Sequence, residues 1–241
     1  KQTGVISGVE VAEQIMKKFD PAFKLDISIT DGTIVSPGDI AFIVSGYIRS
    51  LLQIERLVLN VMQRMSGIAT QTKEYVEKTE GFKAKVLDTR KTTPGMRMLE
   101  KEAVRTGGGV NHRFGLFDMI MLKDNHIDFS GGIENAIKSA NEYLKAHQLS
   151  LKIEIEVRSL QDIEKVMQTG GVDRIMLDNF TPELTKEAVK LIDGRYETES
   201  SGGITLETIR DYAACGVDYI SVGALTHQIK SLDMSLKAID Y

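Results

Sequence analysis

KIEIEVRSLQDIEKVMQTGGVDRIMLD, residues 152 to 178, decides the fold. Two short apolar strands, 152 to 157 and 174 to 178, flank an amphipathic helix at 160 to 168, which is the pattern of one βαβ unit. The alternation continues on both sides. Strands are expected at 83 to 88, 117 to 123, 196 to 199 and 219 to 223, and helices at 97 to 106, 132 to 147, 182 to 193 and 205 to 214. Repeated βαβ units imply right-handed crossovers and a parallel sheet. Six strands are fewer than the eight of a full barrel, so an incomplete β/α barrel and an open doubly wound sheet both fit.

Before Gly81 the pattern differs. A short helix comes after the Gly8 turn, and two or three strands fill 25 to 48 between the turn signals Asp31-Gly32 and Pro37-Gly38. Leu51, Ile54, Val58, Val61, Met62, Met65 and Ile68 then keep helical spacing, for one long helix or two in series. This section reads as a small α/β unit. The expected division is an N-terminal domain at 1–67, a catalytic barrel at 68–228 and a C-terminal segment, 229–241, returning to the first domain. Within that segment, 232 to 239 alternates in period two, as a strand would.

The bulk composition sets bounds. With 30 Lys plus Arg against 34 Asp plus Glu in 241 residues, the net charge of -4 supplies no global field for nucleic acid or an anionic membrane. A hydrophobic content of 42% in a chain this long buries a large core. The single cysteine, Cys215, excludes an internal disulfide and fits a reducing compartment, hence a cytoplasmic setting. The chain opens at Lys1 with neither an initiator Met nor a signal-like apolar block, as though its beginning were missing.

Parallel strands share one direction, so the residues just past each strand gather at one end of the sheet, where a barrel places its active site. Beyond the first barrel strand, TRKTTPG (89 to 95) sets Arg90 and Lys91 beside hydroxyls and a Pro-Gly turn, a combination suited to a multiply charged anion. GGGVNHR (107 to 113) adds His112 and Arg113. Lys123 ends an apolar strand, where an ammonium needs a partner, and an anionic ligand is one. Glu154 and Glu156 share strand parity, and Asp178 adds a third carboxylate at the same rim. These acids suit a divalent metal, with Mg²⁺ favoured by oxygen ligands, or they pair with Arg90, Lys91 and Lys123. SSGG (200 to 203) and SVGA (221 to 224), on successive strands, suit a phosphate held by backbone N–H groups. The inventory matches one phosphorylated, metal-bound substrate and one substrate bearing carboxylates.

The same segments, in order, resemble the quinolinate phosphoribosyltransferase family: VISGVEVAE near the start, ERLVLNVMQRMSGIAT (55 to 70), VLDTRKTTPGMR (86 to 97), GGGVNHRFGLFDMIMLKDNHI (107 to 127), EIEV (154 to 157), LDNF (177 to 180), ESSGGI (199 to 204) and VGALTH (222 to 227). The resemblance spans nearly the whole chain. It implies an incomplete β/α barrel joined to an N-terminal α/β sandwich, truncated here, in a homodimer whose sandwich domain covers the neighbour's barrel. It implies phosphoribosyl transfer from phosphoribosyl pyrophosphate to quinolinate with decarboxylation, giving nicotinate mononucleotide, pyrophosphate and carbon dioxide, and a requirement for Mg²⁺.

By position, the resemblance implies quinolinate contacts from Thr89, Arg90, His112, Arg113 and Lys123, with Arg56 donated by the other subunit. Lys91 would lie between the substrates. Glu156 and Asp178 would contact the ribose hydroxyls and Mg²⁺, with Glu154 and Glu199 as neighbours. Ser201, Gly202, Gly203, Gly223 and Ala224 would hold the 5′-phosphate, with His227 close by. Two alternatives are a related phosphoribosyltransferase-like barrel with another acceptor and an aldolase-like barrel using Lys123 as a Schiff-base amine.

Overall fold

The computed structural model describes residues 1–239; of the expected C-terminal segment, 240 and 241 lie outside the described residues. The chain forms two compact units. The first comprises Lys1–Val76, Lys91–Val110 and the tail from Ala224 onward, and the second comprises Glu77–Arg90 with Asn111–Gly223.

In the first unit, β1 (Gly4–Val5) pairs antiparallel with β3 (Ile34–Val35), and β2 (Lys24–Ile27) pairs antiparallel with β4 (Phe42–Ser45). Helix α1 (Val9–Phe19) starts after Gly8, whose φ of 98° few other residues would tolerate. The Asp31 carboxylate accepts the Val9 N–H at 2.8 Å, meeting one of the orphan donors of that helix end. Val9, Ala12 and Met16 are its buried stripe, and they join Ile6, Phe23, Val35, Ile54, Val58, Met62 and Leu232 in one apolar cluster.

Helix α2 (Ile48–Lys78) is a single helix of 31 residues. The expected domain boundary at 67/68 therefore falls inside an unbroken element, and the compact unit runs on to Val76. The 91–110 stretch with α3 (Arg97–Thr106) also belongs to the first unit, although it lies between two strands of the second in the chain. Gly67 is needed where it stands, because any Cβ there would strike the Lys230 carbonyl oxygen of the tail.

The strand expected at 232–239 does not form. Leu232 donates its N–H to the Gln63 carbonyl of α2 at 2.9 Å, so this extended tail lies along a helix and has no strand ladder. Its period of two is nevertheless real: Leu232 is buried, Met234 and Leu236 are half-buried, and the intervening residues are exposed. Alternation reports one covered face of an extended chain, and here a helix covers it.

The second unit holds a six-stranded, wholly parallel sheet in the order β5 (Lys85–Leu87), β10 (Tyr219–Ser221), β9 (Glu197–Ser201), β8 (Arg174–Asp178), β7 (Ile153–Val157), β6 (Ile120–Leu122). Among the described residues β5 and β6 do not pair, so the sheet is an incomplete β/α barrel. Its helices are α4 (Asp124–Phe129), α5 (Ile133–Ala146), α6 (Leu160–Thr169), α7 (Pro182–Ile192) and α8 (Ile209–Ala214). Ser159 caps α6 and Thr181 caps α7, each hydroxyl accepting a backbone N–H three residues on. Helix α4 is additional to the expected elements, the helix expected from 205 begins at Ile209, and the strand expected from 117 begins at Ile120. The last shortening has a local cause: the Asp118 carboxylate accepts the N–H groups of Phe114 and Gly115 at 2.6 and 2.9 Å and closes a tight turn.

The strand register sorts the sheet into two faces. Ile153, Ile155 and Val157 alternate with Glu154 and Glu156, and all five are buried. Cross-strand pairing aligns Glu154 with Arg174 and Glu197, Glu156 with Met176 and Glu199, and Asp178 with Ser201. One face is therefore mainly aliphatic, as helix packing requires, and the other carries the charged side chains as a largely buried polar ladder. Among the described residues, no helix is long and apolar enough to cross a membrane.

Candidate active site

The polar ladder rises from paired charges to a cationic rim. At its centre lie His112, Glu154, Arg174 and Glu199, all buried. The Arg174 guanidinium sits 2.9 Å from Glu199 and 3.9 Å from Glu154, with its carbon 3.9 Å from the Tyr219 ring centroid. Burial pushes the Glu154 carboxyl up to about 7 and, with Glu154's charge added, the Glu199 carboxyl up to about 8. Burial opposes the charge on Arg174, but Glu154, Glu199 and Glu197 more than offset it and hold its pKa above the ordinary value.

His112 is fixed on three sides. Its N–H donates to Asp88 at 2.8 Å, its Nδ1 accepts the Arg113 N–H at 2.7 Å, and its Nε2 lies 3.0 Å from Glu154. An Nδ1 that accepts a backbone hydrogen bond leaves the ring proton on Nε2, aimed at the acids. The loop leading into β6 is thereby tied to the end of β5 and to β7.

Above this layer, Arg113 is half-buried, and its guanidinium donates to the Met119 carbonyl at 3.2 Å. Its pKa is depressed, first by burial and then by Arg90, and partly restored by Glu154, Asp118 and Glu156. Two guanidiniums thus sit within electrostatic reach of one another. Lys123, at the carboxyl end of β6, forms an ion pair with Glu156, one of the pairings expected for these acids. Asp178, at the end of β8, accepts from the Asn179 amide at 2.9 Å. Thr89 and Arg90 come after β5, so Thr89, Arg90, His112, Arg113, Lys123, Glu156 and Asp178 all belong to the second unit.

Two groups could hold a metal. The ligand atoms of His112, Glu154 and Glu199 lie within 4.8 Å of one another, but Arg174 already supplies their cation. Glu156 and Asp178 lie on adjacent strands, two residues apart in register on the polar face, at the carboxyl rim. Two carboxylates at the strand ends are a donor set that fits Mg²⁺, which keeps several waters and takes phosphates as ligands.

Ser201, Gly202, Gly203 and Gly223 complete the rim of the second unit. Gly202 has φ of 102°, and a Cβ there would strike the Asn179 side chain; Gly203 has φ of 61° and open space beside it. The turn is therefore closed by Asn179 at Gly202 and open beside Gly203.

Lys91, Ala224 and His227 fall in the first unit, as does Arg56. Lys91 and His227 are exposed, and Ala224–His227 forms the short helix α9. Arg56 is exposed on α2 with Glu55 at 3.3 Å. The chain passes directly from Arg90 to Lys91 and from Gly223 to Ala224. Sequence reasoning missed Arg174, and it placed Asp88 at the strand end without the role of holding His112. The signal for Arg174 was available, since it shares strand parity with Asp178 in RIMLD and so faces the same way.

The chain is similar along nearly its whole length to known proteins. Residues 1–66 match the family model for the quinolinate phosphoribosyl transferase N-terminal domain, and 68–237 match that for its C-terminal domain. A Nicotiana glauca protein, quinolinate phosphoribosyltransferase [decarboxylating] 2, mitochondrial, is 45% identical over 98% of this chain and 71% of its own length. A Bacillus subtilis protein described as a probable nicotinate-nucleotide pyrophosphorylase [carboxylating] is 42% identical over 98% of this chain and 80% of its own. The crystal structure of NadC from Streptococcus pyogenes superposes with a TM-score of 0.93 at 44% identity, covering 99% of this chain and 83% of that one. With both domain models matched in order and relatives above 40% identity over nearly all of its length, this chain belongs to the quinolinate phosphoribosyltransferase family.

Proposed function

We propose that this protein transfers the phosphoribosyl group of phosphoribosyl pyrophosphate to quinolinate and decarboxylates the product to nicotinate mononucleotide. The observation that carries this reading is the match of both family domains along the chain, supported by Arg90, Arg113 and Lys123 of the second unit, where Arg90 and Glu156 both act on the Arg113 charge and Lys123 is ion-paired with Glu156. Like charges held together in a half-buried place call for a multiply charged anion, and quinolinate has two adjacent carboxylates. Thr89 and Lys123 complete that acceptor site, and His112 holds the Arg113 backbone in place.

Lys91, next to Arg90 in the chain, serves the pyrophosphate. Ser201, Gly202, Gly203, Gly223 and Ala224 take the 5′-phosphate through backbone N–H groups, with His227 nearby. Glu156 and Asp178 contact the ribose hydroxyls and would hold Mg²⁺, whose charge when bound offsets that of the departing pyrophosphate. The pyridine nitrogen bonds to the anomeric carbon as the bond to pyrophosphate breaks, its electron pair leaving with the pyrophosphate. Lys91 meets that departing charge, while carboxylates stabilise the positive charge on the sugar. The ring nitrogen is then a pyridinium. Its positive charge stabilises the electron pair that stays on the adjacent ring carbon when the 2-carboxylate departs as carbon dioxide, and a solvent proton then bonds to that carbon through this pair. This sequence needs no dedicated general base.

The working form in this reading is a homodimer in which Arg56, whose side chain is 74% exposed, enters the neighbouring subunit's acceptor site. A cytoplasmic setting belongs to the same proposal. The test is pyrophosphate release with added Mg²⁺, comparing quinolinate with nicotinate. Release dependent on quinolinate is expected; preference for nicotinate overturns the acceptor assignment.

A further inference from the structure

Among the charged groups of the first unit, one pair stands apart from every residue the family resemblance singles out. Glu100, in the first turn of α3, is fully buried, yet its carboxylate is fully engaged. Arg64, on α2, donates Nε to one oxygen at 2.8 Å, with Nη2 2.7 Å from the same oxygen. The second oxygen accepts the Thr93 N–H at 3.2 Å. The guanidinium does more than neutralise this acid. Its Nη2 also donates to the Thr93 hydroxyl at 2.7 Å and to the Thr226 carbonyl at 3.2 Å. Thr226 in turn donates its hydroxyl to the Lys91 carbonyl at 2.9 Å.

One planar fork therefore joins four pieces of chain: α2, α3, the 91–96 loop and α9. The last two carry Lys91 and the Ala224–His227 turn. Glu100 and Thr226 are fully buried, so breaking the bonds they make leaves a buried polar group unpaired. A lysine at position 64 would keep the charge but has one nitrogen to offer where Arg64 uses two in a fixed plane.

We propose that Arg64 and Glu100 are positioning residues that fix Lys91 relative to the Ala224–His227 turn, and so set the affinity for phosphoribosyl pyrophosphate. The proposal rests on the reading that Lys91 and that turn serve this substrate. Neither Arg64 nor Glu100 touches substrate. Their effect is geometric, and it falls first on the phosphorylated substrate, because the bonds of this network hold the Lys91 carbonyl and the Ala224–His227 turn.

Thr226→Val tests the link most gently, since it removes only the hydroxyl and conserves volume. Arg64→Lys tests the fork. The measurements are steady-state KM for each substrate, calorimetric binding of phosphoribosyl pyrophosphate and of quinolinate to the free dimer, and the thermal midpoint. Thr226→Val is expected to raise KM for phosphoribosyl pyrophosphate about 3- to 10-fold, the worth of one neutral hydrogen bond. Arg64→Lys is expected to raise it about 10-fold or more, because charge-assisted bonds are lost. Quinolinate affinity should stay within about twofold of wild type in both. Both substrates weakening equally, or a lowered midpoint with neither KM changed, overturns the positioning role and leaves a plain structural ion pair. A wild-type protein that binds no phosphoribosyl pyrophosphate overturns both this inference and the functional reading. A wild type that binds it, with variants indistinguishable from it, overturns this inference alone.

Discussion

The two rims of the parallel sheet both carry charged side chains and treat them in opposite ways. At the amino rim the charges are matched: Lys83 lies 2.8 Å from Asp218, Lys152 lies 3.2 Å from Glu197, and the Asp173 carboxylate accepts the Ile153 N–H at 2.7 Å. Burial disfavours the Asp218 carboxylate, yet Lys83 and the Thr198 donors outweigh it and hold its pKa below the ordinary value. At the carboxyl rim Arg113 is burdened by burial and by Arg90, and its pKa is lowered. In the reading proposed above, the first rim serves the folded state, while the second, where Lys123 is paired with Glu156 but Arg113 and Arg90 repel, serves a ligand that arrives later. Stability and binding should therefore separate cleanly between them.

Arg113→Ala is the largest break in that contrast. Leaving a dianion's partner unpaired costs about 2–5 kcal/mol, so quinolinate affinity measured by calorimetry should fall by about 30-fold to several thousandfold. The thermal midpoint should change little, because relief of the repulsion with Arg90 is set against loss of the Met119 bond and of the attraction to Glu154, Asp118 and Glu156. A midpoint that falls with unchanged quinolinate affinity would assign Arg113 to the scaffold. The same variant reports on subunit sharing: mixed with Arg56→Ala, it should regain part of the activity through hybrid dimers with one intact site, and no recovery argues against a donated Arg56.

Asp218→Ala makes the opposite break at the amino rim. It strips the Thr198 N–H and hydroxyl of an acceptor 2.9 and 2.8 Å away and removes the partner of Lys83. Unsatisfied buried donors cost about 1–3 kcal/mol, which for a chain of this size lowers the midpoint by about 2–12 °C. KM for both substrates should not move. A shifted KM would mean the two rims are mechanically coupled.

How far these rims could be read in advance depended on what each feature leaves in a linear chain. The six strands were legible because buried parallel strands are short apolar runs closed by charged residues, as in RIMLD and KIEIEV. Glu154, Glu156 and Asp178 were legible because strand parity is strict. Helix α4 was hidden because its six residues are all at least partly exposed and carry no apolar stripe. The tail at 232–239 misled because alternation shows that one face is covered and is silent about what covers it. Arg64 and Glu100 left no local signal: they lie 36 residues apart, and each reads alone as an ordinary helical charge. Arg113 showed its charge but not its strain, which depends on Arg90 across 23 residues of chain.

The smallest expected effect sharpens the contrast from the layer between the rims. Glu199 titrates from the ordinary 4.5 up to about 8 when folded, because burial and Glu154 oppose its charge. A carboxyl whose folded pKa is raised binds more protons in the folded state than in the unfolded chain between those values. Its contribution to stability is complete below about pH 4.5 and is lost as pH rises through about 8. Glu199→Gln substitutes a neutral group of the same shape for a carboxyl that is protonated at pH 6. At that pH the midpoint should therefore change less than in Asp218→Ala. Toward pH 9 the wild type must hold a second buried negative charge beside Glu154, and the variant need not. The midpoint of the wild type should thus fall with rising pH across that window, and the variant's should fall less. Parallel midpoint curves for the two proteins would show that Glu199 is already ionised at pH 6, making the whole ladder below the cationic rim as fully paired as the amino end.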